Sequence, residues 1–455
     1  MTASRIDIPC DAVLGDWSAR LDPAHVLEVG REQLTHIESD IRASWQACRM
    51  IEALYHPGRY LRIAYVLLSA PSTPQRRQWP EGQIVYLHAP VRRPISRRGV
   101  ELRIDDATVE AYCFPNDRRL RGMRKFAGKR DAVATWQRWI DEAAGGFAID
   151  ADSLQRLLVR YVPEQKWVIR LRAEGTSRDT GRTRKRRIAV RAARGESCAR
   201  LLDRHRALAA WARCGDGSLI VPDVVGADIA DGLLAVEWIR GETLVETLQQ
   251  NDPGEVMEQV ARTLSLWHTA PLDGLPSLKR DALVQNARDA AADLGAACPP
   301  LCARLDALAG EIDARLGAAA DSEPVTLHND FHWNQLRIKP GRFAVLDLER
   351  MARGDPLVDV ANFATQLRML GLRDAAGVDA ATAEKWSGLF LDRWAAVTGR
   401  AVDPDRFRVY AVVSLLELAR GMMRHLREGW RELAEACVQR GESELAAGAR
   451  QAVSP

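Results

Sequence analysis

No run of about 18 uncharged apolar residues occurs anywhere in the 455-residue sequence, so no membrane-spanning helix is expected. The opening stretch Met1-Thr-Ala-Ser-Arg-Ile-Asp-Ile-Pro also lacks an apolar segment of signal-peptide length. Cysteine is present but unpatterned: Cys10, Cys48, Cys113, Cys198, Cys214, Cys298, Cys302 and Cys437 are scattered. Cys298 and Cys302 flank Pro-Pro-Leu, with no second Cys or His pair at zinc spacing. A disulfide framework and a structural zinc are therefore not expected, and reduced thiols in a cytoplasm are the simplest reading. An overall excess of charge is missing too, the net being +3. That balance hides residues 170–206, with 13 Lys/Arg against 4 Asp/Glu, so this segment carries +9 and the remainder −6. A basic patch on a near-neutral chain points to an anionic ligand: a polyphosphate, nucleic acid or an acidic peptide.

What is present is ordinary globular material, 47% hydrophobic and 27% charged. The length allows about three domains. Residues 1–150 mix helix and strand patterns. Asp22-Pro23 reads as a helix start, and 26–49 reads as helical although Gly30 weakens it. Strands are expected at 60–68 and 83–89 around a turn-rich loop at 69–74, with a turn at 114–117 and a helix over 131–144 that carries Trp136 and Trp139. Near position 150 the pattern restarts. Tyr161-Val-Pro-Glu-Gln-Lys-Trp-Val-Ile echoes Tyr55-His-Pro-Gly-Arg-Tyr-Leu-Arg-Ile, either by chance or because one β-unit was duplicated and left a non-catalytic copy at the N-terminus. Residues 160–240 read as a small antiparallel sheet (167–172, 187–192, 233–238) with one helix near 199–212. Beyond Gly241, apolar faces of helical period cover 254–269, 280–294, 303–316, 383–397 and 407–426. The expected organisation is an accessory or cap domain over 1–150, a β lobe over 151–240 and a helical lobe over 241–455.

One short β-like segment interrupts the helical region: Leu327-His-Asn-Asp-Phe-His-Trp-Asn-Gln-Leu-Arg-Ile, Pro340-Gly341, then Phe343-Ala-Val-Leu-Asp-Leu-Glu. Its polar residues sit at strand edges, where side chains can converge on one cleft. Asp330 and Asp347 are candidates for a single site, with Asn334 or Gln335 offering an amide oxygen between them. One carboxylate to orient a hydroxyl, and another with an amide to hold Mg²⁺, is the minimal kit for phosphoryl transfer, which needs positioning and charge neutralisation more than covalent chemistry.

These residues carry a resemblance. His328-Asn-Asp330-Phe-His-Trp-Asn-Gln335, Asp347-Leu-Glu349 and Gly354-Asp355-Pro-Leu-Val-Asp359-Val-Ala361 resemble the signature of the aminoglycoside phosphotransferase and choline kinase-like superfamily. Leu234-Ala-Val-Glu-Trp-Ile-Arg-Gly241 is similar to its interlobe hinge, and Leu264-Ser-Leu-Trp-His268 to the helix that follows. The likeness covers roughly 155–455. It implies an α+β, two-lobed kinase-like fold, with a small antiparallel β lobe, a large helical lobe and an N-terminal α/β accessory domain. It further implies transfer of the γ-phosphoryl of ATP or GTP, with Mg²⁺, to a hydroxyl of a small molecule such as an aminoglycoside, sugar or natural product. By the same resemblance Asp330 is the catalytic base, and Asp347 with Gln335 or Asn334 binds the metal. His328, Asp355 and Asp359 support the loop. Val236, Glu237, Trp238 and Ile239 read the purine through the backbone, and His332 and Trp333 are candidates for substrate contact.

Two positions depart from the pattern. Gln335 stands where the family has Asn, and Arg191, in Ile188-Ala-Val-Arg191, where a phosphate-binding lysine is expected. The acidic partner of that cation is open between Glu196 and Asp203. No Gly-rich phosphate loop precedes it, the stretch 174–181 being too generic. The departures leave a pseudokinase scaffold as an alternative, and the exposed-looking basic run Arg182–Arg187 leaves a kinase acting on a peptide with an acidic leader. Nucleic acid rests on the basic patch alone and is not expected as a partner; nor is a membrane.

Overall fold

Alternating and continuous apolar runs in the first half of the chain become strands, and the helical-period faces of the second half become helices. The structure, a computed structural model, describes residues 7–70, 82–91, 95–143, 146–192, 195–318, 322–372 and 377–451. The chain divides into two compact units. The first is Met1–Asp203 with Asp223–Trp238 and Arg424–Glu428; the second is Arg204–Pro222, Ile239–Met423 and Gly429–Pro455.

In the first unit, α1 (Pro23–Gln33) begins where the Asp22 carboxylate accepts the Ala24 N–H and Pro23 takes the first turn. The helix expected over 26–49 stops at Gln33. A short α2 (Ser39–Ser44) follows, and β1 (Ala47–His56) begins the sheet. Pairing with β2 (Tyr60–Leu68) buries Ala53, Leu54 and Tyr55, and this tertiary gain overrides a weak local helical period. With β3 (Gly82–Ala89), β4 (Val100–Ile104) and β5 (Ala107–Cys113), an antiparallel sheet forms in the order β1-β2-β3-β5-β4. Most of the loop expected at 69–74 falls outside the described residues.

After α3 (Lys129–Glu142) a second sheet is built from β6 (Phe147–Ile149), β7 (Gln155–Val162), β8 (Lys166–Ser177) and β9 (Thr183–Ala192). The helix α4 (Gly195–Cys214) intervenes, and β10 (Leu219–Ile220) of the second unit precedes the last two strands, β11 (Val224–Asp228) and β12 (Leu233–Glu237). The order is β7-β8-β9-β12-β11, with β6 continuing β7's edge of β8. That is the order of the first sheet again.

The match extends to hydrogen bonds. Asp11 accepts the N–H groups of Val13 and Leu14, the N–H of Gly58 at 2.7 Å and the hydroxyl of Tyr55 at 2.7 Å. Asp117 accepts the N–H groups of Arg119 and Leu120, the N–H of Glu164 at 3.0 Å and the hydroxyl of Tyr161 at 2.9 Å. Every pair is 106 positions apart. The echo in the sequence is therefore a duplicated unit, and the repeat restarts at Asp117 rather than near 150. One hydrophobic core serves both copies, joining Tyr86, Tyr112, Trp136 and Trp139 to Trp167, Val190 and Leu233. It crosses position 150 without a break.

The second unit is mainly helical: α5 (Leu244–Gln250), α6 (Pro253–His268), α7 (Arg280–Ala297), α8 (Cys302–Ala318), α9 (Leu357–Arg368), α10 (Ala380–Thr398), α11 (Pro404–Arg424) and α12 (Trp430–Gln451). Thr243 and Glu246 form a reciprocal capping box at α5, and Asp252 caps α6 with Pro253 next. Among the helices sit β13 (Val325–Leu327), β14 (Leu336–Lys339), β15 (Arg342–Val345) and β16 (Ala352–Gly354). β13 pairs with β16, and β14 and β15 make a hairpin whose second strand also pairs with β10. Among the described residues no helix is long and apolar enough to cross a membrane.

Candidate active site

The segment 328–335 leaves β13 and returns into β14, and Leu346 ties both of its ends. The His328 Nε2–H donates to the Leu346 carbonyl at 2.8 Å, and the Leu346 N–H donates to the Gln335 carbonyl at 2.9 Å. Asp347 is the next residue, so the loop that holds Asp330 is closed against the strand end that presents Asp347. Asp347 has φ 61° and Asn329 φ 59°. A left-handed backbone at two non-glycine residues in one small region is the strain expected of a functional centre, and Asp and Asn are the side chains that tolerate it.

Asp359, in the first turn of α9, is fully buried. Its carboxylate accepts the His328 and Asn329 N–H groups, each at 2.8 Å, and the His268 Nε2–H at 3.3 Å. It fixes the entry to the loop from a helix N-terminus, where the dipole also favours an anion. His328 packs between Trp267 and Phe331, and its Nδ1 is buried without a hydrogen-bond partner. Asn329 and Asn362 side chains donate to the carbonyls of Arg350 and Phe331. Asp355 accepts the Leu357 N–H, Arg406 Nη1 at 3.1 Å and the Tyr410 hydroxyl at 3.1 Å. Burial, and then the Asp355 charge and hydrogen bond, push the Tyr410 phenol far above its ordinary range.

His332 Nδ1 accepts the Asn334 N–H at 3.3 Å, and its Nε2 lies 3.2 Å from the Gln335 amide. The atom of Gln335 turned toward the imidazole is the amide nitrogen Nε2, so this contact does not use the amide oxygen. Gln335 is thus held by its own loop. Asn334 is exposed, and the indole N–H of Trp333 is buried without a hydrogen-bond partner. Asp347, Asn334 and Gln335 present hard oxygen donors only, the chemistry Mg²⁺ selects when phosphates and water complete its shell. Among the described residues no cluster of three His, Cys, Asp or Glu marks a stronger metal site.

In the first unit, Arg191 stands next to the C-terminal end of β9, paired with Val168 of β8 and Leu234 of β12. Cys198 of α4 is close enough to feel it: burial pushes this thiol up and the Arg191 charge pulls it back. Asp203 is exposed, and the side chain of Glu196 lies outside the described residues. Val236 and Glu237 close β12. The Glu237 and Trp238 N–H groups donate to the carbonyls of Asp223 and Arg187, so two of the expected hinge donors are spent inside the sheet. Trp238 also carries Arg170 on its ring face at 5.2 Å. Ile239 is buried in the second unit. The stretch 174–181 is the end of β8 and its hairpin, and 181–186 are exposed.

A family profile described as the phosphotransferase enzyme family matches residues 168–410, more than half of the chain. The chain belongs to this family. As a phosphotransferase it is an enzyme acting on an alcohol acceptor, on an α+β fold of the kinase type. Among solved structures, a choline kinase from Cryptosporidium parvum Iowa II is similar at 11% identity and a TM-score of 0.50, over 72% of this chain and 98% of its own. Aminoglycoside phosphotransferase APH(4)-Ia is similar at 16% identity and 0.46, over 70% and 99%. A choline kinase from Streptococcus pneumoniae is similar at 13% and 0.44, over 69% and 99%. At such identities the likeness is one of fold. No curated protein matches the chain.

Inspection of the sequence named no role for His268, Asn362, Arg406 or Tyr410. His268 lay in a quoted motif and could have been paired with Asp359. Arg406 and Tyr410 lie 51 and 55 positions from Asp355, and no local signal marks them.

Proposed function

We propose that this phosphotransferase moves the γ-phosphoryl group of ATP or GTP to a hydroxyl of a small molecule. The observation that carries it is the double tie of Leu346, which brings the Asp330 loop against Asp347 while Asp359 fixes the loop's entry. Asp330 takes the proton of the acceptor hydroxyl as its oxygen bonds to phosphorus and the bond to the leaving nucleoside diphosphate breaks. Asp347, with the amide oxygen of Asn334 or Gln335, would hold Mg²⁺, which neutralises phosphate charge. Arg191 supplies a second positive charge from β9, in the bidentate manner open to a guanidinium. The purine edge would be read by backbone groups of 236–239 other than the two donors already used. Trp333 offers a flat wall and an unspent N–H to the acceptor. The first repeat, up to 116, serves as the accessory part, 117–240 as the nucleotide lobe and 241–455 as the acceptor lobe.

Asp330→Ala should abolish nucleotide-dependent phosphorylation, by about three orders of magnitude or more, with the circular dichroism spectrum and melting temperature kept. Retained turnover in a folded variant would remove the assigned role. The exposed basic run at the β8–β9 hairpin favours a second acceptor class, an acidic peptide. Radiolabel incorporated into an acidic peptide but into no panel of amino alcohols and sugars would select it.

A further inference from the structure

Glu164 sits at the β7–β8 turn with φ 61°, where its counterpart in the first repeat is Gly58 at φ 64°. A glutamate takes that conformation only against a cost that glycine escapes. Its carboxylate is fully buried, and two of its three ionic neighbours, Arg62 and His88, belong to the other repeat. Glu164 Oε2 lies 3.2 Å from Arg62 Nη2 and 3.2 Å from Arg119 Nε, and Oε1 lies 3.5 Å from His88 Nδ1. His88 Nδ1 accepts Arg62 Nε–H at 2.9 Å, so the imidazole adds no further cation there, and the carboxylate is met by two guanidinium groups. Strand register identifies the place. Arg62 pairs with His88 as Val168 pairs with Arg191, and Arg62 and Val168 are themselves 106 positions apart. His88 therefore occupies, in the first repeat, the position that Arg191 holds in the second. A carboxylate of the second repeat is lodged where a phosphate would meet the first.

We propose that the N-terminal repeat is a clamp on the β7–β8 turn, gripping it through Glu164, and that this grip sets the turn for the nucleotide. The turn is the first hairpin of the lobe whose third strand carries Arg191, and in kinase-type lobes a loop ahead of the cationic strand covers the phosphates. Arg191 pairs two residues past the turn's exit at Lys166, so the turn and the cation share one end of the sheet. The inference rests on the nucleotide reading above. Glu164 is a positioning residue: it is spent on Arg62 and Arg119 and touches no nucleotide.

The test uses the full chain with Glu164→Gly, which relieves the backbone while removing the grip, Glu164→Gln, and Arg62→Gln, which takes away the first repeat's guanidinium and leaves a polar side chain. The expected result is a nucleotide KM raised roughly threefold to tenfold with kcat within about twofold. Amide exchange at 162–166 should quicken. The Glu164→Gln, Arg62→Gln double variant should be no worse than the poorer single one, because both break one interaction. Unchanged KM and exchange in all three, an equal fall in kcat, or additive penalties would overturn the clamp. If Glu164→Gly does not fold, Arg62→Gln alone carries the KM measurement. If the wild type turns over no nucleotide, the nucleotide reading fails by itself; exchange at 162–166 then decides the grip, unchanged exchange refuting it and faster exchange supporting it.

Discussion

The two repeats of the first unit share strand order and a buried Asp–Tyr staple, yet they have parted in what they do with a cation. In 117–237 the connection after β9 is the 20-residue helix α4, and Arg191 remains half-buried on the strand before it. In the first copy ten positions separate Ala89 from Val100, leaving no room for such a helix, and the equivalent residue, His88, is sealed from solvent. The scaffold is indifferent to this choice. Staple, sheet order and core survive in both, so a lobe can give up a ligand position and keep its fold, because stability and ligand chemistry draw on different residues.

The largest expected effect would break the contrast outright. Arg191→Met keeps much of the side-chain volume and should lower kcat/KM for the nucleotide by about 2–3 kcal/mol, roughly 30- to 150-fold. An unaltered value from steady-state kinetics would mean that neither repeat binds phosphate through this position. Next come the staples. Asp117→Ala and Asp11→Ala each strip four hydrogen bonds and should cost about 2–4 kcal/mol in urea unfolding. Only the Asp117 change should also raise the nucleotide KM, since only that staple holds the β7–β8 turn; equal effects on KM would erase the asymmetry.

The smallest effect concerns Glu52 of β1, which is buried beside His425, Arg427 and Arg160. Burial raises its carboxyl, but the hydrogen bond from His425 and the charges of Arg427, His425 and Arg160 outweigh it and hold the group below its ordinary 4.5. A carboxyl lowered in the folded state stabilises above its unfolded pKa and loses that contribution as pH falls through the folded value. Glu52→Gln should therefore melt about 2–4 °C lower at pH 7, with the gap to wild type closing as the pH falls below the ordinary 4.5. A constant gap across that range would show that packing, rather than charge, accounts for Glu52.

The candidate site was readable because its residues are contiguous: 328–335, 347 and 355–359 lie within one short stretch, and helices with an apolar face announce themselves by period. Distance along the chain hid the rest. Arg406 and Tyr410 reach Asp355 from α11, and only folding brings them there. The helix expected over 26–49 failed because β1 is decided by its partner β2 rather than by local preference. The repeat left a single legible echo, Tyr and Pro in register, since those residues belong to the staple and its turn. Elsewhere the two sheets share only alternating apolar positions, which any strand can fill.

The unbroken core across position 150 bears on handling. A chain cut back to the stretch that the family profile matches, 168–410, would lose Tyr86, Tyr112, Trp136, Trp139 and Trp167 and leave Ile169, Val190 and Leu233 facing water. The N-terminal repeat is thus part of the wall of its neighbour's core, and a shortened chain should bind a hydrophobic dye that the full chain does not.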